Sequence, residues 1–233
     1  MKFSIQREDL LTSLQRSVGV SEKKTTMPIL ANVKIDAGSD GLILTATDLE
    51  VCLIQKCDAE ISEGGGYSLP ARSLFEITKE FPKAAIEFEL TGDNKVEIRS
   101  QKSQIHLVGM PTDEFPAFPD VQETNLIELP AKTLKQMIEK TSFSMSNDEM
   151  RYSLNGILFE AVEEEGESPK LRLVSTDGHR LSFIEHELPT GKELPFKERA
   201  VLPRKGVLEL KRLLDDSNQT VEIGFDGNNG IVR

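Results

Sequence analysis

The sequence has little of several features that commonly indicate where a protein acts. No apolar run approaches the ~20 residues that a membrane-spanning helix requires, so we expect no membrane segment. The N-terminus, Met1 to Arg7, has no signal-peptide core, which predicts a cytoplasmic protein. The only cysteines, Cys52 and Cys57, are an odd number of positions apart on one predicted strand, hence on opposite faces, so a disulfide is not expected.

Residues that would support catalysis or metal binding are equally sparse. No Cys/His cluster has the spacing of a zinc site, and no second acidic cluster offers another metal site. No serine or cysteine is predicted on a strained turn, where it could act as a nucleophile. Gly64-Gly65-Gly66 is not followed by a Lys-Ser/Thr pair, so it predicts a break between two strands rather than a phosphate-binding loop. We therefore expect neither a metal nor a cofactor.

What the sequence does contain is an internal repeat. Leu173 to Leu181 reads L-V-S-T-D-G-H-R-L, and Leu44 to Val51 reads L-T-A-T-D-L-E-V. Flanking motifs recur at offsets of 123 to 133 residues, which differ only by loop-sized insertions: Asn32 with Asn155, and Pro70 with Pro203. A tandem repeat favours stacked or ringed units over one closed pocket. The length of 233 residues suits one or two domains.

Hydrophobic periodicity predicts helices at 7–18, 71–81, 131–142 and about 203–214. It predicts strands near 1–6, 32–37, 42–47, 51–60, 67–69, 85–90, 95–100 and 103–109, then 125–129, 154–162, 170–176, 180–187, 199–202 and 220–225. Each repeat thus comprises two β-α-β-β-β units, each with a helix against a small sheet, and the second repeat lacks a counterpart of 103–109. The proline-rich stretch 110–124 is predicted to be a linker that its phenylalanines, from Phe115 to Phe118, pin to a neighbouring surface.

Charge is distributed unevenly over these elements. The net charge is −11, which by itself argues against a nucleic-acid partner. The first two predicted helices are neutral, but the third carries a net +2 and the fourth a net +3, so everything outside the helices carries −16. An acidic body with basic helices could present those helices to a polyanion, although lysines on helix surfaces are also common.

Thr176-Asp177-Gly178-His179-Arg180 supports two interpretations. In a small hydrolase, His179 would act as a base that Asp177 orients, with Arg180 binding an anion. The first repeat has Thr47-Asp48 but neither the histidine nor the arginine. The alternative is structural, with both aspartates as turn residues that accept backbone N–H bonds, and the pattern favours this one.

Together these motifs resemble the bacterial sliding clamp family, the β subunit of DNA polymerase III. The matching stretches are spread in order over the whole chain: Met1 to Phe3, Leu10-Leu11, Pro28 to Asn32, Thr47 to Glu50, Pro70 to Arg72, Phe143 to Met145, Arg151 to Gly156, Thr176 to Leu181 and Val201 to Val207. The resemblance implies an α+β DNA-clamp fold, with helices on one face of curved antiparallel sheets. It covers a first domain at 1–120 and a second at 121–233, whereas the family has a third, so we expect a truncated clamp.

The resemblance also implies a function without catalysis. Clamps of this family are ring-shaped homodimers that encircle duplex DNA, independently of its sequence, and tether polymerases, the clamp loader and repair proteins. A family DNA contact carries over to Lys24, whereas Asp148 stands where the better-known clamp has a glutamine. Basic helix residues are the other expected DNA contacts: Arg72, Lys79, Lys135, Lys140, Lys205 and Arg212. The family's peptide pocket maps onto Leu154, Thr176, Gly178, His179, Arg180 and Leu181.

Overall fold

The structure, a computed structural model, describes residues 1–21, 26–92, 94–117, 126–163, 167–188, 199–214, 219–226 and 229–233. The chain divides into two compact units, Met1–Phe118 and Pro119–Arg233. No helix in the described part of the chain is long and apolar enough to cross a membrane.

Within the described residues, each unit contains two α-helices among antiparallel strands. The first unit contains β1 (Lys2–Gln6), α1 (Arg7–Val20), β2 (Asn32–Gly38), β3 (Gly41–Thr47), β4 (Cys52–Cys57), β5 (Ala59–Glu63), β6 (Gly65–Pro70), α2 (Ala71–Glu80), β7 (Ala85–Thr91), β8 (Lys95–Ser100) and β9 (Ser103–Val108). The second contains β10 (Ile127–Pro130), α3 (Ala131–Thr141), β11 (Gly156–Val162), β12 (Lys170–Thr176), β13 (Leu181–Glu187), β14 (Ala200–Pro203), α4 (Arg204–Leu213), β15 (Thr220–Asp226) and β16 (Asn229–Val232).

The leading strand of each predicted β-α-β-β-β unit joins the sheet of the other one. In the first unit the sheets have the orders β5-β1-β7-β8-β9 and β4-β3-β2-β6, so β1 and β6 have exchanged places. The second unit repeats this arrangement as β10-β15-β16 and β13-β12-β11-β14. The two halves of a unit are therefore interlocked rather than independent small sheets. Within the described residues, β16 corresponds to β8, and no strand corresponds to β9.

The helices form because one face of each is apolar and is buried under the sheets. Leu10 and Leu14 of α1 and Leu74 of α2 are at most 1% exposed and belong to the core of the first unit. Leu134 and Ile138 of α3 take the corresponding places in the core of the second. Three helices follow directly on a proline that ends the preceding strand: Pro70, Pro130 and Pro203. Proline suits this position, because it lacks the N–H that would continue a strand and its φ suits a helix start.

The structure corrects two expectations about residues 51–66. The single strand predicted at 51–60 is wrong, because the chain leaves β4 at Asp58 and enters β5, which pairs with β1 in the other sheet. The glycine-rich break is confined to Gly64, since Gly65 and Gly66 already lie in β6. Both glycines pair with β2, and the sheet tolerates them because β6 is an edge strand.

The segment after β9 extends the edge of β6. Met110 N and O exchange hydrogen bonds of 3.0 and 2.9 Å with Ser68 O and N. The buried Ser68 hydroxyl also donates to Met110 O. Further along, Phe115 is 8% exposed and Phe118 lies outside the described residues, so pinning by these phenylalanines stays a prediction.

We expect Gly109→Ala to destabilise the chain, because its Cβ would lie 2.1 Å from the backbone oxygen of Ser68. Overpacking typically costs about 1–3 kcal/mol, and a backbone atom cannot rotate away as a side chain can. Chemical denaturation of both variants tests this against Gly92→Ala, whose Cβ would meet no atom within 4 Å. Equal stability of the two variants would show that the Met110 segment does not hold the position described.

Candidate functional site

Residues Thr176 to Leu181 form a tight turn between β12 and β13. The Asp177 carboxylate accepts backbone N–H bonds from His179 and Arg180, both 2.9 Å long. The Thr176 hydroxyl donates to Arg180 O at 2.7 Å and accepts from Gly178 N at 3.1 Å. Gly178 has a φ of 91°, which only glycine adopts without strain. These bonds hold His179 and Arg180 exposed at the tip of the turn.

The first unit repeats the bonds that the Thr and Asp side chains make to the backbone of the turn. Asp48 accepts from Glu50 N at 3.0 Å and Val51 N at 2.7 Å, and the Thr47 hydroxyl donates to Val51 O. This confirms the structural interpretation of the Thr-Asp pairs. Leu49 occupies the position of Gly178 with a φ of 79° and is 62% exposed. The scaffold is thus common to both units, and the His-Arg tip belongs only to the second.

The remaining bonds of Asp177 bear on the hydrolase interpretation. Its second carboxylate oxygen accepts from Arg180 Nε at 2.9 Å, so the described contacts of Asp177 go to the turn backbone and to Arg180. The N–H of His179, that of Arg180 and the Arg180 guanidinium together hold the pKa of Asp177 down to about 2. Because both oxygens of the Asp177 carboxylate are bonded in this way, the carboxylate stabilises the turn and is not directed at the imidazole of His179.

We expect Asp177 to stay ionised well below the usual range of an aspartate. Its folded pKa is lowered, so its contribution to stability is present above the unfolded pKa of about 3.9 and is lost as the pH falls through about 2. Carbon-detected NMR of the Asp177 carboxyl should give a midpoint near 2 in the folded chain. A synthetic peptide of residues 174–183 provides the unfolded reference. A folded-state midpoint near 3.9 would contradict the hydrogen-bonding pattern.

The other predicted pocket residues lie on both sides of the turn. Thr176 and Leu181 face each other across the two strands, and Leu181 is 62% exposed. Leu154 is half-buried in the preceding loop, where its N–H donates to Arg151 O at 2.8 Å. The side chain of Arg151 reaches Gly178: its Nη1 lies 3.9 Å from the position that a Cβ added to this glycine would occupy. The structure therefore brings the loop of Leu154 to the turn, through Arg151.

Sequence reasoning missed exposed residues at this turn and in the loop of Leu154. The Arg180 guanidinium lies over the ring of Phe143, 5.8 Å from its centroid. Phe143 is 57% exposed, and Met150 and Tyr152 are each 81% exposed. Phe143, Tyr152 and Arg151 fall within stretches that carry the family resemblance, which was the only signal that could have identified them. We refer to the turn together with Leu154, Phe143, Met150, Arg151 and Tyr152 as the turn site.

The predicted DNA-contacting residues lie on helix surfaces. Arg72 and Lys79 on α2, Lys140 on α3 and Arg212 on α4 are exposed, whereas Lys135 and Lys205 are half-buried. Lys79 contacts Glu76 at 3.4 Å, and Arg212 contacts Glu209 at 2.6 Å. Lys211 of α4 bridges to Glu139 of α3, which joins the two basic helices of the second unit. Lys24 lies outside the described residues.

Comparison with known proteins identifies the family. The DNA polymerase III beta subunit N-terminal domain matches residues 1–119, and the central domain of the same subunit matches residues 128–232. The Beta sliding clamp of Escherichia coli K12 is 38% identical over 231 residues, and that of Proteus mirabilis is 40% identical over 232. Both alignments cover 98% of this chain and 61% of the relative, so the chain spans about three fifths of the length of these clamps.

Solved structures agree with this result. The DNA polymerase III subunit beta of Pseudomonas aeruginosa superimposes with a TM-score of 0.89 at 34% identity, covering all of this chain and 62% of that one. The DNA polymerase sliding clamp of Bacillus subtilis gives 0.91 at 31% identity, with the same coverage. The predicted resemblance and the predicted α+β fold are thereby confirmed. The chain belongs to the DNA polymerase III beta subunit family.

Proposed function

We propose that this chain acts as part of a DNA sliding clamp, the processivity factor of a bacterial replicative polymerase. The whole clamp would be a ring-shaped homodimer that encircles duplex DNA and tethers polymerases and the clamp loader, without catalysis of its own. The observation that carries the proposal is the charge distribution within a chain of this family. With the observed bounds, the four helices again carry a net +5 and the rest of the chain −16.

The basic positions on α2 and α4 coincide in the internal repeat. Arg72 and Lys79 correspond to Lys205 and Arg212 at the same offset of 133 residues. In each helix the two residues are seven positions apart, hence on one face. Lysine and arginine on a helix face can contact phosphates without reading bases, and such contacts let a protein slide along DNA. Lys24, Lys135 and Lys140 complete the proposed set.

Sequence-independent binding tests this proposal directly. We expect two unrelated duplexes of equal length to bind with equal affinity, at best in the ~10⁻⁴ to 10⁻⁶ M range of non-specific binding at physiological salt. Fluorescence anisotropy with each duplex in turn gives the comparison, and a single strand of the same length serves as the control. A tenfold preference for one duplex sequence would indicate base readout and contradict a clamp.

The turn site is the proposed site for partner peptides. It combines exposed apolar side chains, chiefly Leu181 and Phe143, with the polar tip formed by His179 and Arg180. Aromatic residues and arginine at a partly apolar surface are typical of peptide-binding interfaces. The chain covers only part of the clamp length, so we expect it to bind a clamp-binding peptide more weakly than a complete clamp does.

The hydrolase interpretation makes a different prediction. If His179 acted as a base, esterase or nuclease turnover would be lost in His179→Ala. The bonding of Asp177 to the turn leads us to expect no turnover by either protein above the rate of the buffer.

For the domain limits we propose 1–120 and 121–233; the two compact units and the two family matches support this division.

A further inference from the structure

The C-terminus of α2 differs from the ends of the other three α-helices. Each of those ends with the N–H of the following residue bonded to the carbonyl four residues back: Ser21 to Ser17, Ser142 to Ile138, and Leu214 to Leu210. Phe81, which follows α2, is extended and precedes Pro82, and within the described residues its N–H makes no such bond. The last carbonyls of a helix need partners from elsewhere when the backbone provides none.

The side chain of Arg7 provides these partners. Arg7 is the first residue of α1, and its Nε donates to Thr78 O at 3.1 Å while its Nη2 donates to Lys79 O at 2.7 Å. A guanidinium suits this task because its donors lie in a fixed fork, and its positive charge complements the negative end of the helix dipole. One side chain of α1 therefore caps the last turn of α2.

Arg7 is not placed to contact DNA itself. Its side chain is only 12% exposed, and its Nη1 donates to the Glu8 carboxylate at 2.7 Å. The guanidinium is thus bonded to α2 on one side and paired with an acid on the other. Any effect of Arg7 on a ligand of the helix face must pass through the residues whose carbonyls it binds.

The internal repeat shows where this cap is needed. Arg212 of α4 corresponds to Lys79, and the end of α4 is closed by its own backbone through Leu214. The helix α3, which is the counterpart of α1, begins with Ala131, whose side chain has no donor. The arginine cap is therefore present in the unit whose basic helix lacks a backbone cap, and absent in the unit whose basic helix has one.

Lys79 is held at both its backbone and its side chain. Its carbonyl accepts from Arg7, and its Nζ lies 5.4 Å from the centroid of the Phe75 ring. Residues in the last turn of a helix are the first to unfold locally when their backbone bonds are lost. Without the cap, Lys79 would keep its charge but would no longer be held on the face that it shares with Arg72.

We propose that Arg7 is a positioning residue for DNA binding: by capping α2 it holds Lys79 beside Arg72, so that both reach phosphates of one duplex. The inference rests on the proposed DNA-binding function and adds to it a residue that does not touch DNA.

A double-mutant cycle on the full chain tests this, with duplex affinity measured by fluorescence anisotropy at low salt. Lys79→Met should weaken binding about tenfold, the value of one hydrogen bond to a charged group. Arg7→Met should weaken it about threefold, because a frayed turn still carries the lysine charge. In the Lys79→Met background, Arg7→Met should cause no further loss, since residues that act through one contact are not additive.

Arg7→Lys separates position from charge and repeats the cycle with a milder change. Lysine keeps the charge but has a single donor group, so it cannot bind both carbonyls as the guanidinium fork does. We expect Arg7→Lys to lose as much affinity as Arg7→Met. The amides of Lys79 and Glu80 should also exchange faster with solvent, while that of Arg212 should not change. The matched control is Arg99→Lys, an exposed position in β8, which should bind like the unaltered chain.

The possible failures are distinguishable. If Lys79→Met binds duplex as tightly as the unaltered chain, α2 makes no phosphate contact, and its part in the proposed function fails together with this inference. If Lys79→Met weakens binding but the Arg7 variants do not, the inference is wrong and the proposed function stands. If Arg7→Met weakens binding equally with and without Lys79, Arg7 acts through its own charge or through overall stability, and the positioning role is overturned.

Discussion

Replacing Lys205 and Arg212 together by glutamate should weaken binding of duplex DNA by about 100-fold at low salt. The two side chains share one face of α4, at positions that the internal repeat also makes basic in α2. Each hydrogen bond to a charged group is worth about 1.5–3 kcal/mol, so losing two accounts for at least a hundredfold change. The slope of log affinity against log salt should become shallower by about 2, since each phosphate contact contributes about 0.9.

The matched control is the double variant Lys56→Glu and Lys102→Glu. Both lysines are exposed and lie outside the helices, in β4 and in the turn between β8 and β9. The control changes the net charge by the same amount, so it reproduces any effect of overall repulsion. Anisotropy titrations from low to physiological salt should separate the two proteins. Equal losses in both would mean that net charge, rather than the helix face, governs DNA binding.

Leu181→Asp should weaken binding of a clamp-binding peptide by about 100-fold. Leu181 is 62% exposed beside the turn, so the fold should tolerate the change with less than about 0.5 kcal/mol lost. Under a bound apolar side chain, however, the new carboxylate would be desolvated without a partner, which is costly. The equivalent position in the first unit is Cys52, which is also exposed, and Cys52→Asp is therefore the control.

Calorimetry with the same peptide distinguishes the two variants. We expect Cys52→Asp to bind like the unaltered chain and Leu181→Asp to show little or no heat. Thermal unfolding of both should coincide with that of the parent, which excludes loss of fold as the cause. Unchanged affinity in Leu181→Asp would place the peptide site elsewhere on the chain.

The turn was predictable from sequence because its chemistry is local. An aspartate side chain that accepts bonds two and three residues ahead is a short-range device, and Asp48 and Asp177 both use it. The four helices were predictable within about two residues, because an apolar stripe on one face is visible in the sequence. The left-handed φ of Leu49 was visible only by comparison with Gly178 in the other copy.

Features that depend on distant parts of the chain were not predictable in this way. The exchange of β1 and β6 between sheets joins residues far apart in sequence, which local periodicity does not record. The division of 51–60 at Asp58 lacks the glycine or proline that usually indicates a turn, so it was interpreted as one strand. The contact of Arg180 with Phe143 likewise brings together a turn and the short 3-10 helix Ser142–Ser144, which the pattern treats separately.

The central claim is that the helix faces hold DNA, and NMR mapping tests it most directly. Amide signals of the chain, labelled with nitrogen-15, would be recorded while a short duplex of arbitrary sequence is added. The account predicts that the shifts concentrate on the exposed faces of α2, α3 and α4, around Arg72, Lys140 and Arg212, and disappear at high salt. Shifts concentrated on the outer faces of the sheets, with the helices unaffected, would contradict it.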